Sequence, residues 1–259
     1  MAAGSTDFGS DAVGSTPAGW TDYLYLNATT KVTVETLAGS LSGQALKLDS
    51  GGQFNNNLSA LWTGAGQFTD GDVLVLARLC EDFCGPILRG DASGADWNAL
   101  VANREANDFA FRYSNVDGTR QSNYPAYFPT NVQDSNNYTA LDTGDISLNR
   151  RWIRANFDGT AVKARVWAYG DPEPETWNLD GTLTSDAVVT ETGYVGFFAE
   201  VGGNLSFDAA WLEYIAYSDD PATPAASPGS GGGGGSAAAR PLTKSILKAL
   251  PASIVQRFT

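Results

Sequence analysis

The stretch RWIRANFDGTAVKARVWAYGDPEPETW, Arg151–Trp177, decides the fold. Ile153, Ala155 and Phe157 alternate with Arg154 and Asn156. Beyond Asp158-Gly159-Thr160, Val162, Ala164, Val166 and Ala168 alternate with Lys163, Arg165 and Trp167. A period of two with one apolar side predicts strands in a half-buried antiparallel sheet. Asp-Gly between two such runs predicts a tight hairpin, because glycine accepts the positive φ that the turn requires.

Working outward, Asp72–Leu79 (DVLVLARL) is almost wholly apolar and predicts a central strand buried on both faces. Shorter runs predict strands at Tyr23–Asn27, Lys31–Leu37, Gln44–Leu48, Leu58–Trp62, Ile87–Arg89, Trp97–Ala102 and Phe109–Tyr113. Gly193–Ala199 and Leu205–Tyr217 close the series. In the last, Phe207, Ala209, Trp211, Glu213 and Ile215 are expected on one side. Residues 1–6 are small and are expected to be loose. Many short strands with frequent turn signals predict an all-β fold, two antiparallel sheets packed face to face. The irregular stretch Gln121–Tyr138 predicts a long surface loop.

Composition bounds the function. The 259 residues carry a net charge of −13. Four of the basic residues, Arg240, Lys244, Lys248 and Arg257, stand in the last twenty, so the remainder is more acidic still. An acidic body argues against nucleic acid as a partner, since phosphates need a basic surface. No apolar run is long enough to span a membrane, and no basic-apolar opening predicts a secretory signal. There is no histidine, the commonest general base and metal ligand. Cys80 and Cys84 alone cannot close a zinc site. They read equally as a small disulfide loop or as two buried thiols.

Trp152-Ile-Arg, Asp158-Gly159, Val162-Lys-Ala-Arg-Val-Trp167, Glu173-Pro-Glu-Thr-Trp177 and Gly193-Tyr-Val-Gly-Phe-Phe198 together resemble the concanavalin A-like lectin/glucanase jelly roll, in its laminin-G-like branch. The opening Asp7-Phe8 to Gly19-Trp20 adds to the likeness, which spans about residues 5 to 219. The resemblance implies a jelly-roll sandwich and leaves three functions open: sugar binding, glycan hydrolysis and a structural module. The glucanases of this fold use a Glu-x-Asp-x-x-Glu strand, and this chain has none. Glu173 and Glu175 stand between prolines on a turn, so no held carboxylate pair is read and no catalytic residue is assigned. Sugar binding would draw on Tyr124, Tyr127, Phe128 and Tyr138 in the long loop. Trp20, Trp152, Trp167, Trp177 and Trp211 read as core or sheet-face residues. The fold's structural calcium would draw on Asp7 and Asp208, with Asp11 and Asp49 near similar loops.

Three parts are expected: a jelly-roll domain over 1–218, a Pro/Ala/Ser/Gly-rich linker over 219–239 and a basic amphipathic peptide over 240–259. In the last, Leu242, Ile246 and Leu250 fall at helical spacing and Ile254 adds to the apolar set. With Arg240, Lys244, Lys248 and Arg257 they form a segment suited to folding on a partner. The organisation suggests a non-enzymatic accessory protein on the outer surface of a phage virion, a capsid decoration or head fibre. Its head would be tethered to a capsid or other assembly protein by residues 240–259 and free to meet host glycans. The alternative is a carbohydrate-binding module of a secreted or surface protein, and the third is a glycan hydrolase of the same fold.

Overall fold

A computed structural model describes residues 2–24, 31–49, 56–78, 83–90, 97–103, 108–115, 119–120, 150–182, 192–201 and 209–228. Residues 1–226 form one compact unit and 227–259 another. Among the described residues no helix is long and apolar enough to cross a membrane.

The first unit is an all-β sandwich of jelly-roll type, with every strand pair antiparallel, as the resemblance implies. One sheet holds β1 (Ala3–Thr6), β3 (Lys31–Thr36), β4 (Gln44–Asp49), β6 (Gly71–Arg78), β11 (Arg150–Asp158), β12 (Ala161–Ala168), β13 (Leu179–Thr182) and β15 (Ala209–Ser218). Its order is β13-β12-β11-β6-β15-β4-β3, with β1 added beside β15. The other sheet holds β2 (Trp20–Leu24), β5 (Asn56–Trp62), β7 (Phe83–Gly90), β8 (Trp97–Asn103), β9 (Asp108–Asn115), β10 (Thr119–Arg120) and β14 (Tyr194–Val201). Its order is β10-β9-β8-β7-β14-β5-β2. Neighbours in space are mostly far apart in sequence, so the chain crosses repeatedly between the two sheets.

The core lies between the sheets. It takes Val73 and Val75 from β6, Ile153, Ala155 and Phe157 from β11, Val162, Ala164 and Val166 from β12, and Val195 and Phe197 from β14. The hairpin forms where expected: Asp158 pairs with Ala161, leaving Gly159 and Thr160 as a two-residue turn. Gly159 has φ +57 and Thr160 does not share the positive φ, the pattern of a type II′ turn. All eight residues of β6 are buried, as a strand apolar on both faces requires.

Three expectations need correction. Residues 3–6 are not loose: β1 pairs with Ile215–Ser218, and a Cβ at Gly4 would stand 2.9 Å from the Tyr217 ring. Glu213 and Ile215 do not share a side. The register of β15 on β6 slips between Leu212 and Tyr214, a β-bulge that turns Glu213 and Tyr214 to the outer face while Leu212 and Ile215 face the core. The segment read as a linker from 219 instead packs on the sheet as far as 226. Asp219 N donates to Ala2 O at 2.9 Å, and Ala225 is only 3% exposed. Cys84 is disulfide-bonded, and the chain's other cysteine, Cys80, lies outside the described residues.

Candidate functional site

The outer face of the eight-stranded sheet collects most of the described charged side chains. Strand register sets them in rows. Trp167, Trp152, Leu76 and Tyr214 run across β12, β11, β6 and β15, followed by Arg165, Arg154, Leu74 and Ala216. On one side come Lys163, Asn156, Asp72 and Ser218; on the other, Arg150, Arg78, Trp211 and Lys47. Alternation predicts this polar face, but much of it is buried: Arg154 is 2% and Asn156 9% exposed. The cover is local backbone. Asn156 Nδ2 donates to Pro221 O at 2.8 Å and Tyr214 Oη to Ala226 O at 2.8 Å, while Leu41 packs against the Leu76–Trp152–Tyr214 cluster.

Burying charges here requires pairing them, since an isolated ion in a low-dielectric interior is costly. Asp72 accepts from Arg154 Nη1, from Ala225 N at 2.9 Å and from Asn156 Nδ2 at 3.3 Å. Arg154 returns two bonds to Ala225 O at 3.2 Å. One residue of the covering segment is thus held at both its N–H and its C=O. Burial pushes the Asp72 carboxyl up, opposed by Arg154 and these hydrogen bonds. Glu173, on the turn after β12, accepts from Arg154 Nε at 2.6 Å and pairs with Arg165, whose guanidinium lies 4.2 Å from the Trp177 ring.

The β15 bulge builds a second network. Glu213 is wholly buried and accepts from Arg78 Nε at 2.8 Å, Arg150 Nε at 2.9 Å, Arg150 Nη2 at 2.5 Å and Leu41 N at 3.2 Å. The extra residue lets Glu213 keep the outer face it shares with Trp211 while Ile215 returns to the core.

Beside this network the face opens. The Arg150 guanidinium lies 3.5 Å from the centroid of the Tyr169 ring, and Tyr169 N donates to Arg150 O at 3.0 Å. Trp152 stacks 6.5 Å from Tyr169 and 6.2 Å from Trp167 and meets Tyr214 edge-on at 5.8 Å. Tyr169 itself is 44% exposed, and the only other exposed large apolar residue among those described is Val13. An exposed ring braced from below by a cation and indoles is a preformed platform, and preformed platforms bind at low entropic cost.

Most residues singled out from the sequence lie outside the described residues. These are Tyr124, Tyr127, Phe128 and Tyr138; Asp208; and Arg240, Leu242, Lys244, Ile246, Lys248, Leu250, Ile254 and Arg257. Asp7 is described and exposed, and its Oδ1 accepts from Gly9 N at 3.1 Å in a local turn. Burial and the Asp7 charge push the Asp11 carboxyl up. Among the described residues no three His, Cys, Asp or Glu side chains group to hold a metal. Asp49 is engaged by Lys47 at 2.7 Å. Of the tryptophans, Trp20 is in the core, Trp152 and Trp167 are on the sheet face, and Trp177 and Trp211 are half-buried, as read.

Tyr169 and Arg150 were not singled out from sequence. The available signal was Trp167-Ala-Tyr169 beside Gly170-Asp171, two rings on the polar side of a strand that is about to end.

No protein-family model matches the chain, and no curated protein matches it. Solved structures similar to it include the carbohydrate-binding module CBM66 from Bacillus subtilis, at 13% identity and TM-score 0.47, covering 77% of this chain and 96% of that one. The GH43 protein BlXynB from Bacillus licheniformis is similar at 14% identity and TM-score 0.47 over 82% of this chain, which spans only 38% of that protein. The Ca2+-bound exoplasmic/lumenal domain of VIP36 is similar at 14% identity and TM-score 0.43, covering 82% of this chain and 87% of that one. At these scores none carries an argument about this chain, whose architecture rests on its own sheet order and register.

Proposed function

We propose that the sandwich is a non-catalytic carbohydrate-binding module. The observation that carries this reading is the Tyr169 corner, an exposed ring fixed by Arg150 below and Trp152 beside it. Sugar rings present apolar C–H faces to aromatic planes and hydroxyls to charged donors, and this corner offers both. Tyr124, Tyr127, Phe128 and Tyr138 of the long loop are a second candidate contact in the same reading. Hydrolysis fits less well. The carboxylates Asp72, Glu173 and Glu213 on this face are each held by arginine, which suits structure better than proton transfer to a substrate. A glycan array probed with the full-length protein tests the proposal: a reproducible set of related glycans is expected, and a blank array overturns it.

A second reading is favoured by the composition beyond residue 226, where Pro, Ala, Ser and a Gly run lead to the basic apolar segment 240–259. In it the domain is displayed on a larger assembly, such as the outer surface of a virion, through a capsid or other assembly protein that binds Leu242, Ile246, Leu250 and Ile254. Deleting 240–259 should then abolish incorporation and leave the sandwich folded; a truncated protein that still assembles ends this reading.

A further inference from the structure

The charges at the Tyr169 corner do not balance. Arg78 and Arg150 share one carboxylate, Glu213, and the other partner of Arg78 among the described residues is a neutral carbonyl, Ala38 O at 3.3 Å. The other arginine-paired carboxylates on this face are committed elsewhere: Asp72 to Arg154, and Glu173 to Arg154 and Arg165. Among the described residues, two guanidiniums on one carboxylate leave one positive charge at this corner, in a protein whose net charge is −13. That charge is placed where solvent begins. The Glu213 side chain is fully buried and that of Arg78 4% exposed, whereas Arg150 is 11% exposed beneath an open ring. Arg150 uses Nε and Nη2 on Glu213, and its Nη1 has no partner among the described residues.

We infer that this corner takes an acidic sugar, a uronic acid or another carboxylate-bearing residue. The inference deepens the carbohydrate-binding reading and rests on it. The sugar's carboxylate would accept from Arg150 Nη1, while its ring would lie on the exposed part of Tyr169. Arginine suits this because its donors keep a fixed planar arrangement while two of them stay on Glu213. A neutral sugar gains only the stacking. A bare carboxylate gains only the charge. Both are therefore weaker ligands than the combination. Glu213 makes this possible: it fixes the guanidinium through two bonds, so that ligand binding need not order Arg150.

The test is a two-dimensional NMR titration of the full-length protein with sodium D-glucuronate, D-glucose and sodium acetate, following Arg150 Nε–Hε and the Tyr169 ring. Glucuronate is expected to shift both, with glucose and acetate at least about tenfold weaker. Tyr169→Ala and Arg150→Gln should each weaken glucuronate by a similar factor. If Arg150→Gln does not fold, Arg150→Lys replaces it; it keeps the charge but loses the planar donor array, and the same loss is expected. Glucose binding as tightly as glucuronate overturns the acidic preference and leaves the wider carbohydrate reading standing. Acetate equal to glucuronate, with no dependence on Tyr169, reduces the corner to a simple anion site and overturns the inference. So does the absence of any shift at either residue with glucuronate, after which the wider reading is decided by the glycan array alone.

Discussion

Two β-bulges each hold a buried charged residue, to different ends. On β15 the slip between Leu212 and Tyr214 falls at Glu213, which lies on the outer face with Trp211, between two arginines. On β7, Leu88 and Arg89 together oppose Val195, because Tyr194 pairs with Gly90 and Gly196 with Ile87. Arg89 takes φ +62, and its wholly buried side chain donates to Thr69 O at 2.5 Å, Gly159 O at 2.6 Å and Asp70 Oδ1 at 2.9 Å. It ties the end of one sheet to the hairpin turn of the other. Gly193 permits this turn, since a Cβ there would stand 2.5 Å from the Arg89 carbonyl carbon. The Arg89 bulge satisfies its charge inside and ends there. The Glu213 bulge leaves a cation at the surface. A buried charge that closes its own network is a staple, and one that leaves an excess at an opening can be a site.

Breaking the networks should separate these roles. The largest loss is expected for Glu213→Gln, which leaves Arg78 and Arg150 facing each other without a carboxylate. About 4 kcal/mol is expected, since removing one partner leaves the other charge buried and unpaired, and urea denaturation measures it. Arg89→Met should cost about 3 kcal/mol, because two backbone carbonyls and the Asp70 carboxylate lose their donor. The same melts should show it without loss of glycan binding. Arg150→Gln should cost only about 1 kcal/mol, because Glu213 keeps Arg78 and Leu41 N, yet it should remove binding.

Asp72 gives a pH test. Burial raises its carboxyl above the ordinary 3.8, so the folded state holds the proton more tightly than the unfolded one. Its contribution is full below about 3.8 and is lost as pH rises through the folded value. Stability of the wild type minus that of Asp72→Asn should therefore increase as pH falls through the weakly acidic range. A difference that shrinks over that range contradicts this sign. The smallest stability effect, under about 0.5 kcal/mol, is expected for Tyr169→Ala, because surface substitutions seldom cost more.

The hairpin at Asp158-Gly159, the alternation of β11 and β12 and the doubly buried β6 were legible because each depends on residues close in sequence. The rest depended on partners. Nothing in Ala3-Gly-Ser-Thr6 marks a strand until β15 lies beside it. Trp211, Glu213 and Ile215 read as one alternation, and only the register against β6 shows that Ile215 leaves it for the core. Arg154 and Asn156 read as solvent-facing because the segment covering them, 219–226, has a composition that reads as linker. The Tyr169 corner unites residues from the start of β11 and the end of β12 with a carboxylate 63 residues on from Arg150. No local motif could join them.

The exposed ring on the Glu213 network is where this protein is expected to meet its ligand. Reading the same glycan array with Tyr169→Ala and with Tyr127→Ala tests it most directly. Loss of the wild-type signals in Tyr169→Ala, with the two proteins equally stable, is the result expected. Unchanged signals in Tyr169→Ala together with their loss in Tyr127→Ala would contradict it and move the site to the long loop.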